Sequence, residues 1–226
     1  MAGGLGKRLH SEVPNLQKVV APVEGKPFLE YVLKNLYANK VRDVILAVGY
    51  RNRDILNMID DIKPVNMDIH ISMENSPLGT GGAVRNSMDL IKNEDVLICN
   101  GDSLSIFPFQ KLYQFHKDKS AQISILIATV ENISRYGSVK VNNKGQIVKF
   151  EEKKSSDNQG FINSGIYILK KQIISELPLH NFSLEKDFFP GKCNKGMYGL
   201  IDNFPFIDIG VPDDYFKAKE FINSSM

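Results

Sequence analysis

The sequence predicts an α/β fold: a doubly wound, mostly parallel mixed sheet, with antiparallel strands added by the second half. Three observations carry this. Short continuous apolar runs alternate with amphipathic stretches over the first 118 residues, as in strands covered on both faces. Two glycine clusters, "AGGLGKRL" and "PLGTGGAV", each stand at a strand-to-helix position. From about residue 120 the pattern changes to longer strands and a hairpin signal.

In chain order, Phe28, Leu29, Val32, Leu33, Leu36 and Tyr37 fall on one helical face of "PFLEYVLKNLYANK". "DVILAVGY" is a buried strand, "NRDILNMIDDI" a helix and "MDIHISME" a strand. "GTGGAVRNSMDLI" opens on glycines and becomes helical, and "EDVLICNGDS" is a strand running into a turn. "AQISILIATV" is a long strand, and "YGSVKVNNKGQIVKFEEK" is a hairpin turning at Asn142 to Gly145. "GFINSGIYILKK" is a strand followed by helical "KQIISEL". "MYGLIDN" and "PFIDIG" are short strands, and "PDDYFKAKEFINSS" is a closing helix with Pro212 near its start. Residues 1–118 are expected to form the doubly wound part, with 119–226 continuing the same sheet in a single domain overall.

At 226 residues the chain can bury a sizeable core. Its 28 basic and 26 acidic side chains leave a net charge of +2, which gives no field for nucleic acid or a membrane surface. Any anion must be held locally, and Lys7, Arg8 and Lys18 form the first basic cluster. The two cysteines make no disulfide framework, and Cys99 in apolar "DVLICN" reads as a buried free thiol. Without a signal peptide or a spanning stretch, a cytoplasmic protein is expected. His10, His70, His116 and His180 lack metal-ligand spacing and read as structural or surface residues.

In "AGGLGKRL", Gly3, Gly4 and Gly6 allow backbone N–H groups to approach phosphate oxygens. Arg8 can fork onto a phosphate, and Lys18 can reach it as a point charge. A Gly-rich turn with no ligand would read the same way, and the spacing is neither a P-loop nor a dinucleotide fingerprint. "PLGTGGAV" is a second cluster at a helix N-terminus, or a tight turn and nothing more. Two such clusters at the carboxyl ends of a parallel sheet favour a nucleotide site. Asp102 in "CNGDS" ends a buried strand, where it can hold Mg²⁺ against phosphates or cap a turn. Asp208 lies between Ile207 and Ile209, where a charge is costly unless paired or metal-bound. "FEEKK" and "NSGIY" add a lysine and an asparagine from the second half. No serine elbow or Cys/His pairing offers a covalent nucleophile.

The ordered set Gly-Gly-x-Gly-x-Arg, Lys, Leu-Gly-Thr-Gly-Gly-Ala, Gly-Asp, Glu-Lys, Asn-x-Gly-x-Tyr, Asp resembles the sugar-phosphate nucleotidylyltransferases over essentially the whole chain. "KVVAPVEGKPFLEYVL", "PLGTGGAV", "YGSVKV" and "FIDIGVPDDY" are most similar to the D-glycero-α-D-manno-heptose 1-phosphate guanylyltransferases. Mannose-1-phosphate guanylyltransferases and glucose-1-phosphate thymidylyl- and cytidylyltransferases are similar at greater distance. The resemblance implies a Rossmann-like fold and a Mg²⁺-dependent enzyme. It would join a sugar 1-phosphate to a nucleoside triphosphate, GTP by the resemblance, giving an NDP-sugar for surface polysaccharide such as capsule, and pyrophosphate. It also implies that Gly3, Gly4 and Gly6 line the nucleotide, with Arg8 and Lys18 on its phosphates, and Arg8, Lys18 and Asp102 serving catalysis. Gly79, Thr80, Gly81 and Gly82 would pack beside the base, with Glu74 nearby. Asp102 and Asp208 would hold Mg²⁺. Glu152, Lys153 and Asn163 would grip the sugar phosphate, in a pocket shaped by Tyr136 and Gly137. A homodimer is compatible with this reading, and a non-catalytic nucleotide-binding relative is the alternative.

The chain departs from the pattern at Gln17, where the family carries a proline that would stiffen the approach to Lys18. Lys154 likewise stands where proline is common. The Gly-rich loop also lacks the apolar residues that make the family's first strand, so the expectation is that the start at Met1 lies a few codons late.

Overall fold

Phe28, Leu29, Val32, Leu33 and Leu36 are buried along one side of a helix in the computed structural model, as their spacing requires. The structure describes residues 1–3, 16–49, 52–131, 133, 137–151 and 159–226. Its elements begin β1 (Pro22–Val23), β2 (Lys26–Pro27), α1 (Phe28–Ala38), β3 (Asp43–Val48), α2 (Arg53–Ile62) and β4 (Asp68–Met73). Next come α3 (Gly79–Asn86), β5 (Asp95–Cys99), β6 (Ser103–Ser105), α4 (Phe109–Asp118) and β7 (Ile123–Val130). The hairpin β8 (Ser138–Val141) and β9 (Ile147–Glu151) precedes β10 (Gly160–Lys170) and α5 (Lys171–Ser175). A π turn (Leu184–Phe188), α6 (Phe189–Lys192), β11 (Met197–Asp202), β12 (Phe206–Asp208) and α7 (Pro212–Ser225) complete the order.

The chain divides into two compact units. The first holds residues 1–77, 100–107 and 205–226. Within it β3 and β4 pair in parallel from Asp43 opposite Asp68 to Val48 opposite Met73. Ala2 lies parallel beside Val48, its N–H donating to the Ala47 carbonyl at 2.7 Å. The Met1 carbonyl accepts from the Gly101 N–H at 2.8 Å. Those two bonds seat the first residues between the end of β3 and the turn at Gly101. Strand β12 pairs antiparallel with β6, placing Asp208 opposite Ser103. Asn35 on the buried side of α1 donates to the Ser105 carbonyl at 2.9 Å, so its burial leaves that amide bonded.

The second unit holds residues 78–99 and 108–204. Its six-stranded sheet runs β11-β7-β10-β8-β9, with β5 also on β10. Only β11–β7 is parallel; β5, β7 and β8 all meet β10 antiparallel. The fold is therefore α/β with mixed sheets. Ile123, Ile125, Leu126 and Ile127 are fully buried, which explains why β7 is apolar on consecutive positions rather than alternating ones. The hairpin turns where expected: the Asn142 side-chain oxygen accepts from the Lys144 and Gln146 N–H groups at 3.0 Å each. Between Asn163 and Tyr167 the β10–β7 register shifts, with Gly165 at φ +77°. A bulge of this kind re-aims the side chains around it.

Ile125→Ala removes a fully buried side chain from the middle of β7. It is expected to cost about 2–5 kcal/mol in urea denaturation. A loss below about 1 kcal/mol would mean that β7 is not the centre of this core.

Candidate active site

In the first unit Lys18 opens a 3₁₀ turn, Lys18–Val20, anchored by the buried side chains of Val19 and Val20. Its Nζ lies 3.2 Å from Asp102 Oδ2. The residue before it, Gln17, has φ −73°, within the range that a proline ring would enforce, and ψ 145°, which proline also adopts. The approach to Lys18 thus keeps its shape without proline.

Asp102 and Asp208 come together through the backbone. The Asp102 carbonyl accepts from the Ile209 N–H at 2.9 Å, tying the turn after β5 to the end of β12. Strand alternation buries Ile207 and Ile209 and turns Asp208 the other way. Asp208 Oδ1 accepts from the Gly210 N–H at 2.6 Å. Burial, and then the charge of Asp102, push the Asp208 carboxyl up to about 7, against the Gly210 N–H and the Lys18 ammonium. One ammonium offsets one of the two carboxylates, and hard carboxylate oxygens suit Mg²⁺. The donor set therefore fits a divalent cation held by Asp102 and Asp208. Among the described residues no group of three or more His, Cys, Asp or Glu gathers, so such an ion would complete its shell with water and phosphate oxygens.

Gly3 and Glu74 meet at the ends of β3 and β4. Glu74 is buried, and its N–H donates to the Val48 carbonyl at 3.1 Å. A Cβ on Gly3 would lie 2.9 Å from Glu74 Oε1, and one on Gly49 would lie 2.6 Å from the Gly3 carbonyl oxygen. Two backbones touch here, and only glycine permits it.

The second unit positions the other glycine cluster. Gly79 sits at φ +69°, and a Cβ there would meet the Phe182 carbonyl oxygen at 2.6 Å. The same carbonyl accepts from Gly81 N–H at 2.8 Å and Gly82 N–H at 3.3 Å, while Phe182 N–H donates to the Leu78 carbonyl at 2.8 Å. The chain's own segment 180–182 thus docks on the start of α3, and the glycines admit it. Thr80 Oγ1 accepts from the Leu184 N–H at 2.9 Å and donates to Glu185 Oε2 at 2.5 Å. Asn163 N–H donates to the Gly137 carbonyl at 3.4 Å.

So Gly3 joins Glu74, and Lys18 joins Asp102 and Asp208, in one unit; Gly79 to Gly82, Asn163 and Gly137 belong to the other. Gly4, Gly6, Arg8, Tyr136, Glu152 and Lys153 lie outside the described residues. Sequence reasoning missed Glu185 and the helical segment that carries it. The available signal was Ser183, whose hydroxyl accepts from the Lys186 N–H at 3.1 Å while Asp187 reaches back to the Ser183 N–H at 2.8 Å.

A Ser–His–Asp alignment also occurs: His116 Nδ1 is 2.8 Å from Ser124 Oγ, and Nε2 is 3.4 Å from Asp95 Oδ1. Ser124 is 0% exposed and His116 1%, so no substrate reaches either. Burial holds the His116 pKa below its ordinary value, despite Asp95. Burial also pushes the Cys99 thiol up to about 12, leaving no thiolate nucleophile.

Two carboxylates set against a lysine at the strand ends of an α/β unit form an arrangement that suits phosphate and divalent-cation chemistry. The chain belongs to the nucleotidyl transferase family, whose model matches residues 1–225. The D-glycero-alpha-D-manno-heptose 1-phosphate guanylyltransferase of Aneurinibacillus thermoaerophilus is 36% identical over 222 residues, 97% of this chain and 95% of its own. That of Campylobacter jejuni is 36% identical over 218 residues, 96% of this chain and 95% of its own. HddC from Yersinia pseudotuberculosis superposes with a TM-score of 0.89 at 35% identity, covering 98% of this chain and 96% of that one. A second structure of HddC, complexed with GMP-PN, gives 0.88 at 35% identity over the same shares.

Folding raises the Asp208 pKa from the ordinary carboxylate range to about 7. Between about pH 4 and pH 7 the folded protein therefore binds more protons than the unfolded chain, and stability falls as pH rises through that window. In EDTA, Asp208→Asn is expected to flatten this fall and to melt above the native protein at about pH 8. A variant that declines with pH just as the native protein does would assign the slope to other groups.

Proposed function

We propose that the protein transfers a guanylyl group from GTP to D-glycero-α-D-manno-heptose 1-phosphate in a Mg²⁺-dependent reaction, yielding a GDP-sugar for surface polysaccharide. The reading rests on the end-to-end likeness to two heptose 1-phosphate guanylyltransferases, joined to the gathering of Lys18, Asp102 and Asp208 in one place. We also place it in the cytoplasm, where GTP is made; among the described residues no helix is long and apolar enough to cross a membrane.

A phosphate oxygen of the sugar attacks the α-phosphorus of GTP in line. A new O–P bond forms, the α–β bridging bond breaks, and its electrons leave on pyrophosphate. The attacking oxygen is already an anion, so no general base is required, and the protein's work is alignment and charge neutralisation. Lys18 would meet the triphosphate oxygens, its ammonium held in place by Asp102 at 3.2 Å. Arg8 would add a second, bidentate contact to the phosphates. Gly3 and Glu74 would line the guanosine side, and Asn163, Gly137, Glu152 and Lys153 the sugar phosphate. Mg²⁺, held by Asp102 and Asp208, would supply further charge neutralisation at the triphosphate.

The test is pyrophosphate release with Mg²⁺ from each of GTP, CTP, UTP, dTTP and ATP, against heptose, mannose and glucose 1-phosphates. GTP with the heptose 1-phosphate is expected to turn over fastest. Lys18→Met is expected to lower kcat/KM by about 100-fold or more. GTP binding without turnover for any sugar phosphate would instead identify a non-catalytic relative.

A further inference from the structure

Glu185 lies outside the motifs singled out from the sequence, yet its carboxylate collects three hydroxyls in the second unit. Thr80 Oγ1 donates to Oε2 at 2.5 Å, Ser183 Oγ to Oε2 at 2.9 Å, and Tyr167 Oη to Oε1 at 3.0 Å. Two of these donors come from far along the chain, 105 and 18 positions away. Capping the segment does not need them, because Ser183 and Asp187 already close its first turn.

The direction of every bond in this cluster is determined. Thr80 Oγ1 accepts from the Leu184 N–H, and Ser183 Oγ from the Lys186 N–H, so each hydroxyl hydrogen points at Glu185. A carboxylate only accepts, so the Tyr167 hydrogen also points at it. The Tyr167 oxygen is then left to accept, and it does so from Asn163 Nδ2 at 2.7 Å. Asn163 Oδ1 in turn accepts from the Gly165 N–H at 2.9 Å, inside the bulge of β10. The Tyr167 ring is fully buried and packs on Phe189 with centroids 5.1 Å apart, so its hydroxyl has one place to be.

From this we infer that Glu185 is a positioning residue: through Tyr167 it sets which way the Asn163 amide faces, and through Thr80 it locks the start of α3 to the same carboxylate. The inference rests on the reading above that Asn163 contacts the sugar phosphate. With its amide held this way, Asn163 keeps one N–H and one lone pair for substrate. An amide at 185 cannot reproduce the arrangement. If its NH₂ faced Tyr167, that hydroxyl would have to donate onward, turning the Asn163 oxygen towards Tyr167 and an NH₂ against the Gly165 N–H. If its NH₂ faced Thr80 and Ser183, both hydroxyl hydrogens would lose their acceptor.

The test measures steady-state kinetics on Glu185→Gln, Tyr167→Phe, their double variant and Asn163→Ala, each first shown by thermal melting to be folded. Tyr167→Phe is expected to raise KM for the sugar 1-phosphate about tenfold, leaving KM for GTP unchanged. Glu185→Gln should raise the same KM by as much or more, and the double variant by no more than Glu185→Gln alone, since both act through one path. Additive effects, or a fall in kcat with KM unchanged, would overturn the inference. So would a sugar-phosphate KM that rises in Asn163→Ala while Tyr167→Phe stays native. An unchanged KM in Asn163→Ala would instead remove the reading of Asn163 on which the inference stands.

Discussion

Two carboxylates, Asp102 and Asp208, are held near one another beside strand ends, and the backbone of the first unit fixes their repulsion in place. The cost of the second charge is visible in the Asp208 carboxyl, which burial and its neighbour push up to about 7. Apolar side chains would relieve the strain, yet the backbone enforces it: the Ile209 N–H binds the Asp102 carbonyl, and β12 pairs with β6. Lys18 answers one charge at 3.2 Å. What remains is a local excess of negative charge that a divalent cation would satisfy.

The glycine clusters have a common appearance and separate physical causes. At Gly3 and Gly49 two backbones approach so closely that a Cβ on either side would strike the other. At Gly79 to Gly82 the neighbour is segment 180–182, whose Phe182 carbonyl takes the N–H groups of Gly81 and Gly82. A helix N-terminus usually invites an anion, but here the protein's own carbonyl occupies those donors. The result joins the start of α3 to the helical segment bearing Glu185, so these glycines are what admits a tertiary contact.

Much of the fold was legible because its signals are local. Phe28 to Leu36, the apolar run of β3 and the Asn142–Gly145 turn each declare themselves within a few residues. Helix α4 went unread although Phe109, Leu112 and His116 follow helical spacing, because a polar His in the buried position hides the apolar stripe. The antiparallel pairing of β5 with β10 could not be read either, since an apolar run buried on both faces carries no mark of its partner's direction.

The sequence by itself determined the α/β class, most of the strand and helix positions and the family, and it singled out Lys18, Asp102 and Asp208 as residue types suited to phosphate or metal chemistry. Tertiary structure alone decided that these three meet, that Gly81 and Gly82 bind Phe182, that Ser124 and His116 are sealed from solvent, and that Glu185, Tyr167 and Asn163 share one chain of hydrogen bonds. The physical reason is the same throughout. Periodicity records which face of an element is buried, whereas charge coupling and hydrogen-bond direction depend on distances between segments far apart in the chain.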